Sequence, residues 1–156
     1  MLRIQHITGE GKELDIIRRL FRDYEKELDE DICFQDFDKE LEDPLKKYGT
    51  PSGDLILAFW NEEAAGCIAL TKMKDEGVCE MKRLYVKPEF RKNKIGKELV
   101  KELLDSAKTR GYTAMRLDTF IKLQSAIRLY ENFGFKNTSA YYHNPLQEVV
   151  YMEKTL

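Results

Sequence analysis

The sequence predicts an α/β domain with a mixed, mostly antiparallel sheet of about seven strands and about four flanking helices. A length of 156 residues suits one domain, which is expected to span residues 1–156. Apolar residues make up 42% of the chain, enough to bury a core. Segments with strand-like and helix-like spacing of apolar residues follow one another without a linker or an internal repeat. These three features together favour a single sheet domain.

The first fifty residues are predicted to form one short strand and two helices. Apolar and polar residues alternate over 2–7, as in a strand. Over 14–28 apolar residues recur every three or four positions, which places an apolar stripe along one side of a helix. A weaker helical pattern covers 36–48, and the glycines and proline of 49–53 end it.

Three strands are predicted next, close enough in sequence to pair in an antiparallel manner. The apolar runs at 55–60 and 65–70 are separated by a short polar turn, as in a hairpin. A second turn at 75–77 leads into a strand at 78–86. Pro88 ends this strand, because proline cannot donate a hydrogen bond to a sheet ladder.

The remaining chain is predicted to alternate helices and strands. Apolar residues at every fourth position from Ile95 to Ala107 indicate a helix, and Gly111 follows its end, where glycine commonly terminates helices. Gly134 ends a second helix in the same way. That helix is predicted at 125–133, and strands are predicted at 115–119, 136–142 and 149–154.

Charge and hydropathy exclude several classes of function. Lys and Arg total 26 and Asp and Glu total 28, so the net charge of −2 gives the whole surface no bias towards nucleic acid. No apolar run approaches the ~20 residues that a membrane span needs. The first residues do not resemble a signal peptide. A cytoplasmic protein without a nucleic-acid or membrane partner is therefore expected.

The cysteines and histidines do not form the patterns of a disulfide framework or a metal site. Cys33, Cys67 and Cys79 are odd in number and widely spaced, which favours reduced structural thiols. His6 and His143 lie far apart, and neither has metal-ligand spacing nearby. We therefore expect no bound metal.

The stretch from Arg83 to Lys97 carries the clearest functional signal. Here a predicted strand turns directly into a helix, and the N-terminus of a helix favours anions through its free N–H groups. Gly96 has no Cβ, which leaves the backbone open to a ligand. Residues 82–101 include eight basic and two acidic residues, a net charge of +6. The stretch predicts an anion site, above all for a pyrophosphate.

This stretch resembles the signature of the GNAT superfamily of acyl-CoA-dependent N-acyltransferases, which is Arg or Gln, two residues, Gly, one residue, then Gly or Ala. Arg91 and Gly96 match it, and Lys94 replaces the first glycine. Residues 83–91 are similar to the fourth strand of the family, and 125–135 to its later helix and strand entry. The order of elements matches over nearly the whole chain. The resemblance implies a GNAT-like fold and acetyl-CoA as the acyl donor.

The resemblance also implies a donor site along this strand and turn. The backbone N–H groups at the end of the strand are expected to bind the thioester carbonyl and the pantetheine arm, and the turn to bind the phosphates. The strand residues are Leu84, Tyr85 and Val86, and the turn residues are Arg91, Lys92, Asn93, Lys94, Ile95, Gly96 and Lys97.

Two residues are expected to handle protons. Tyr130 matches the tyrosine that protonates the CoA thiolate in many family members; a phenol with a pKa near 10 is a suitable acid for a thiol near 8.5. The alternative is a core tyrosine on the apolar face of its helix. The resemblance also suggests an acidic residue of this strand as the base, so Glu80 could accept the amine proton directly or through water. The alternative is a sheet carboxylate paired with Lys82 or Arg83.

The acceptor is expected to be a cationic primary amine, such as a polyamine, a lysine side chain or an amino sugar. Residues 23–43 include eleven acidic and two basic residues, a net charge of −9, in the helix pair that commonly forms one wall of the acceptor site in this family. The alternative is a solvated acidic face. Tyr141, Tyr142 and His143 could form the opposite wall.

Two other classes of function remain open at this point. One is a non-catalytic acyl-CoA-binding or regulatory module, and the other is an interaction domain that uses the acidic helices to bind a basic partner. A homodimer is an expectation carried over from the family alone.

Overall fold

A seven-stranded sheet forms the centre of the fold in a computed structural model that describes residues 1–30, 32, 36–146 and 148–156. The strand order is β1-β2-β3-β4-β5-β7-β6. Only β4 and β5 are parallel neighbours; the other neighbouring strands are antiparallel. The predicted fold class is thereby confirmed. The strands are β1 (Leu2–His6), β2 (Asp54–Trp60), β3 (Glu63–Lys72), β4 (Val78–Val86), β5 (Ala114–Phe120), β6 (Lys136–Thr138) and β7 (Val149–Thr155).

The described residues contain five α-helices, where the sequence predicts about four. The helix predicted over 36–48 is two short helices, because proline at 44 has no N–H to donate and Asp43 before it takes an extended φ of −144°. The last predicted strands also differ: β6 ends at Thr138, and the chain to 146 is a loop. The helices are α1 (Lys12–Leu28), α2 (Phe37–Glu42), α3 (Pro44–Tyr48), α4 (Ile95–Thr109) and α5 (Gln124–Asn132), with a 3-10 turn at Pro88–Phe90.

Helices cover both faces of the sheet, and strand β2 shows why the apolar run at 55–60 does not alternate with polar residues. Ile56 packs in the core layer beneath α4, while its neighbour Leu57 packs in the layer beneath α1. Successive side chains in a strand point to opposite faces. A strand covered on both sides is therefore apolar throughout.

Strands β4 and β5 diverge after a short parallel contact. They pair only at Val78–Glu80, although β4 continues along β3 to Val86 and β5 continues along β7 to Phe120. A bulge shifts the β3–β4 register, and Arg83 takes a left-handed φ of 61° there. Gly66 of β3 lets β3 and β4 approach closely, because it has no Cβ. A Cβ at this position would lie only 2.6 Å from the Tyr85 carbonyl oxygen. The divergence opens the sheet between two of its central strands.

His6 links β1 to the end of β2 and to α4. Its Nδ1 lies 2.8 Å from Asp54 Oδ2, and its Nε2 lies 2.8 Å from Glu102 Oε1. Burial opposes the charged form of the ring, but the hydrogen bonds to Glu102 and Asp54 outweigh burial. The pKa of His6 is therefore raised above its ordinary value.

We expect the contribution of His6 to stability to disappear as the pH rises through its raised pKa. The folded state favours protonated His6, so this contribution is complete below the ordinary pKa of about 6.5 and is lost above the folded pKa. Urea unfolding of the wild type and His6→Gln across this range should give a free-energy difference that shrinks with increasing pH. A difference that does not change with pH would contradict the assignment.

Candidate active site at the divergence of two strands

A cleft of about 620 Å³ lies where β4 and β5 separate. Its walls are the end of α1, the end of β4, and the starts of α4 and α5. Asn93 is the one predicted donor-site residue that does not line the cleft; its side-chain amide donates to the Phe90 carbonyl, 2.9 Å away. The predicted residues that line it are Leu84, Tyr85, Val86, Arg91, Lys92, Lys94, Ile95, Gly96 and Lys97.

The start of α4 supplies hydrogen-bond donors at the cleft. The N–H groups of Ile95, Gly96 and Lys97 are in the first turn, so they have no acceptor within the helix, and no side chain caps this end. The N-cap Lys94 is left-handed, with a φ of 60°. This conformation explains the glycine of the family signature at this position, since a side chain there costs about 1–2 kcal/mol.

Gly96 keeps side-chain atoms out of the cleft wall. A Cβ at this position would lie 3.6 Å from Leu129 Cδ2 and 3.9 Å from Val86 Cγ2, and both residues line the cleft. A single methyl group is therefore tolerated. A longer side chain would extend into the space between α4, β4 and α5.

Two ion pairs join the end of α1 and the residues just after it to the opposite rim of the cleft. Arg91 Nη2 lies 2.6 Å from Glu27 Oε2, and Arg91 Nε donates to the Val86 carbonyl oxygen at 3.0 Å. Lys122 Nζ lies 3.2 Å from Glu30 Oε1. Part of the predicted acidic wall is thus ion-paired to basic residues of the donor cleft; Asp31 of that wall lies outside the described residues.

A small inner cavity of about 50 Å³ adjoins the cleft and is lined in part by residues of β4 and β5. Leu84 and Ala126 line both spaces, and Tyr130 lines the inner one. Tyr130 is 6% exposed, and its ring packs edge-on against Phe135, with 5.9 Å between ring centroids. Burial raises the pKa of Tyr130, and the neighbouring Tyr24 and Asp118 raise it further. The phenol therefore stays protonated at neutral pH. Tyr130 is both a core residue and part of the cavity wall.

Glu80 does not line this cavity but belongs to a group of charged side chains on β4 and β5. Tyr141 donates to Glu80 Oε2 at 2.7 Å, and Lys82 Nζ lies 3.9 Å from Glu80 Oε1. The same ammonium group lies 3.8 Å from Asp118 Oδ1, and Tyr142 donates to Asp118 Oδ2. The side chain of Glu80 thus pairs with Lys82, which is one of the alternatives that the sequence leaves open.

The loop after β6 covers these carboxylates with tyrosines. Tyr151 of β7 supports the loop, with ring centroids 5.2 Å from Tyr141 and 5.7 Å from Tyr142. Burial raises the pKa of both loop tyrosines, so they remain donors at neutral pH. His143 is exposed on the same loop. Sequence reasoning missed Asp118; the only signal was an acidic residue next to the apolar Leu117 in a predicted strand.

Arg83 turns away from Glu80 and pairs with Glu40 of α2 instead. Its Nε lies 2.8 Å from Glu40 Oε2 and its Nη2 lies 3.1 Å from Oε1, with both side chains buried. The guanidinium also lies 5.1 Å from the centre of the Phe37 ring. Burial favours neutral Glu40, but the hydrogen bonds and charge of Arg83 overcome burial and lower the pKa of Glu40. This pair fixes α2 against the bulge of β4.

The described cysteines are buried and unreactive. Burial raises the pKa of Cys79 to about 12 and also raises that of Cys67, so both remain thiols at neutral pH. Cys33 lies outside the described residues.

Neither a metal site nor a membrane-spanning helix occurs in the described part of the chain. No three of its His, Cys, Asp and Glu side chains come together as a set of metal ligands. Likewise, none of the helices described combines the length and the apolar content that crossing a bilayer requires.

Known proteins share both the sequence pattern and the fold. The model of the acetyltransferase (GNAT) family matches residues 14–135. An uncharacterized N-acetyltransferase of Schizosaccharomyces pombe is 46% identical over 142 residues, which are 90% of this chain and 87% of that protein. A Streptococcus agalactiae acetyltransferase structure is 24% identical and superimposes with a TM-score of 0.80, covering 99% of this chain and 98% of its own.

A Bacillus subtilis acetyltransferase solved in complex with CoA has a TM-score of 0.70 and 22% identity, covering 100% of this chain and 99% of its own. The fold and the match to the family model agree with the earlier resemblance at Arg91 and Gly96. The chain therefore belongs to the GNAT family and is an N-acetyltransferase.

Proposed function

We propose that this N-acetyltransferase transfers an acetyl group from acetyl-CoA directly to a primary amine, in a ternary complex without a covalent enzyme intermediate. The adjacency of the cleft and the inner cavity carries the proposal, because Leu84 and Ala126 line both. A donor held by its phosphates at α4 can extend its acyl end towards the cavity that Tyr130 lines. The raised thiol pKa values of Cys67 and Cys79 also favour direct transfer over an acyl-enzyme.

The donor is proposed to bind at two parts of the cleft. The open N–H groups at the start of α4 and the surrounding positive charge suit the pyrophosphate. Beyond Glu80, β4 has no ladder partner on its β5 side among the described residues, which leaves this edge for the pantetheine arm and the thioester carbonyl. The proposed phosphate contacts are Arg91, Lys92, Asn93, Lys94, Ile95, Gly96 and Lys97, and the proposed strand contacts are Leu84, Tyr85 and Val86.

Proton transfer is proposed to involve one acid and one base. Tyr130 protonates the departing thiolate, and its buried, protonated phenol is suited to this step. Glu80 is the base expected from the sequence, and because Lys82 and Tyr141 are its contacts, the amine proton can reach it only through an intervening group. The acceptor is proposed to be cationic: carboxylates and tyrosine rings close to the cavity favour an ammonium group.

We also propose that residues 1–156 act as one catalytic unit. The first strand, β1, and the last, β7, belong to the same sheet, which supports this boundary. The homodimer carried over from the family stays a prediction.

The donor site can be tested by thermal unfolding with and without acetyl-CoA. Ligand at about 100 times its Kd adds roughly 2.7 kcal/mol, which should raise the Tm by several degrees. Gly96→Leu should lose this rise, because its side chain would enter the cleft. The matched control is Lys108→Leu, at an exposed position near the other end of α4.

Three outcomes would contradict the proposal or part of it. A wild type without a rise in Tm would reject the donor site, and so would a rise that persists in Gly96→Leu. A rise without CoA release in the presence of spermidine, Nα-acetyl-lysine or glucosamine would instead favour a non-catalytic acyl-CoA-binding module.

A further inference from the structure

The inner cavity contains one carboxylate among the described residues that line it, and this carboxylate is Asp118. Tyr130, the proposed acid, lines the same cavity. The charge of Asp118 contributes to the raised pKa of Tyr130, which agrees with their closeness. Glu80 is absent from the lining. A group inside the cavity would therefore meet Asp118 before Glu80.

The contacts of Asp118 hold its carboxylate in one orientation. Tyr142 donates to Oδ2, and Asn144 Nδ2 donates in turn to the Tyr142 oxygen at 3.0 Å. Lys82 Nζ lies 3.8 Å from Oδ1, beyond hydrogen-bond distance. Oδ1 can therefore accept a proton from a group in the cavity, while Oδ2 remains fixed by the loop.

Glu80 is placed differently. Its Oε2 already accepts a hydrogen bond from Tyr141, and the ammonium group of Lys82 lies between its Oε1 and Asp118. This order puts Glu80 one group further from the cavity. Lys82 lies at a similar distance from both carboxylates, so it is the position of Asp118 in the cavity lining that makes Asp118 the carboxylate facing the reactants.

We propose that Asp118 is the catalytic residue that takes the proton from the attacking amine, an inference that rests on the acetyl transfer proposed above. The ammonium form of the acceptor first releases one proton to solvent. The neutral amine nitrogen then attacks the thioester carbon and forms the C–N bond, and the proton that it loses at this step passes to Asp118 Oδ1. The C–S bond then breaks, and Tyr130 gives its proton to the sulfur. Exchange with solvent returns one proton from Asp118 to Tyr130, so the cycle balances.

The test compares acetyl transfer by the wild type, Asp118→Asn and Glu80→Gln, with acetyl-CoA and spermidine, Nα-acetyl-lysine or glucosamine. Asp105→Asn on the exposed side of α4 is the matched control. Asp118→Asn should lower kcat/KM at neutral pH by about 10²-fold, the contribution typical of a general base. Glu80→Gln should have a smaller effect. The asparagine can still accept the Tyr142 hydrogen bond, so the Tm should stay close to that of the wild type.

Two further readouts separate a proton acceptor from a structural residue. The deficit of Asp118→Asn should shrink as the pH rises, since hydroxide and buffer bases then take the proton. Formate should partly restore Asp118→Ala, because it can occupy the vacated carboxylate site. Asp118→Asn and Asp118→Ala both keep the charged and titratable groups around position 118. These groups are Lys82 and Glu80 of β4, Tyr142 of the loop, Tyr130 of α5, Tyr24 of α1 and Tyr151 of β7.

The results distinguish failure of this inference from failure of the proposed function. A wild type that transfers acetyl groups, with Asp118→Asn at a similar rate and an unchanged pH profile, would overturn the role of Asp118 alone. A wild type that binds acetyl-CoA and acetylates none of the three amines would reject the proposed transfer and this inference with it. A loss in Asp118→Asn that neither high pH nor formate relieves would assign Asp118 a structural role.

Discussion

Replacement of Tyr130 by phenylalanine is expected to reduce kcat by about 10²-fold or more, while the affinity for acetyl-CoA changes little. The substitution removes the phenolic proton but keeps the ring against Phe135, so the fold and the cleft should be preserved. Because the pKa of Tyr130 is raised, the wild type should not lose activity through this group below about pH 10.

Steady-state kinetics that report kcat and KM separately will check this expectation. Tyr112→Phe is the matched control, since Tyr112 donates to the Ser52 carbonyl oxygen far from the cleft. Unchanged kcat in Tyr130→Phe would remove Tyr130 from the mechanism. A higher KM for acetyl-CoA at unchanged kcat would make it a binding residue instead.

The second large effect is expected from the buried ion pair between Glu40 and Arg83. Glu40→Ala should lower the free energy of unfolding by about 3–5 kcal/mol, because the Arg83 guanidinium stays buried without this partner. Urea unfolding at neutral pH measures the change. Glu42→Ala, at an exposed position of the same helix, should change stability by less than about 0.5 kcal/mol.

The contribution of Glu40 to the free energy of unfolding should decrease as the pH falls. The folded state lowers the pKa of Glu40, so its contribution is present above the ordinary value of about 4.3 and is lost as the pH falls through the folded pKa. The wild type and Glu40→Ala should therefore converge in stability in acid. A Glu40→Ala variant as stable as the wild type at neutral pH would show that the pair adds nothing to the fold.

Local sequence features predicted the strand and the helix that border the cleft. The strand that ends before Pro88 and the helix that begins at Ile95 can each be predicted from residues close together in the sequence. The structure has both elements. Nine of the ten predicted donor-site residues line one cleft. Their binding roles stay predictions, as do the catalytic roles of Tyr130 and Glu80.

The acceptor side could not be predicted to the same extent. A count of acidic residues over 23–43 does not identify their partners, and the structure pairs Glu27 with Arg91 and Glu40 with Arg83. These partners are 64 and 43 residues apart in the sequence. The cationic acceptor therefore stays a prediction. The carboxylates that now support it are Glu80 and Asp118, which lie outside residues 23–43.

The sequence by itself determined the fold class, the family and the turn at the start of α4, because helical periodicity, strand runs and the spacing of Arg91 and Gly96 are local patterns. Only the tertiary structure decided how β4 and β5 diverge and which carboxylate faces the opening. Pairing between strands and contacts between distant side chains depend on packing of the whole sheet, so no local pattern records them. The contact of Asp118 with Tyr142 and its place in the lining of the inner cavity therefore emerge only in the folded chain.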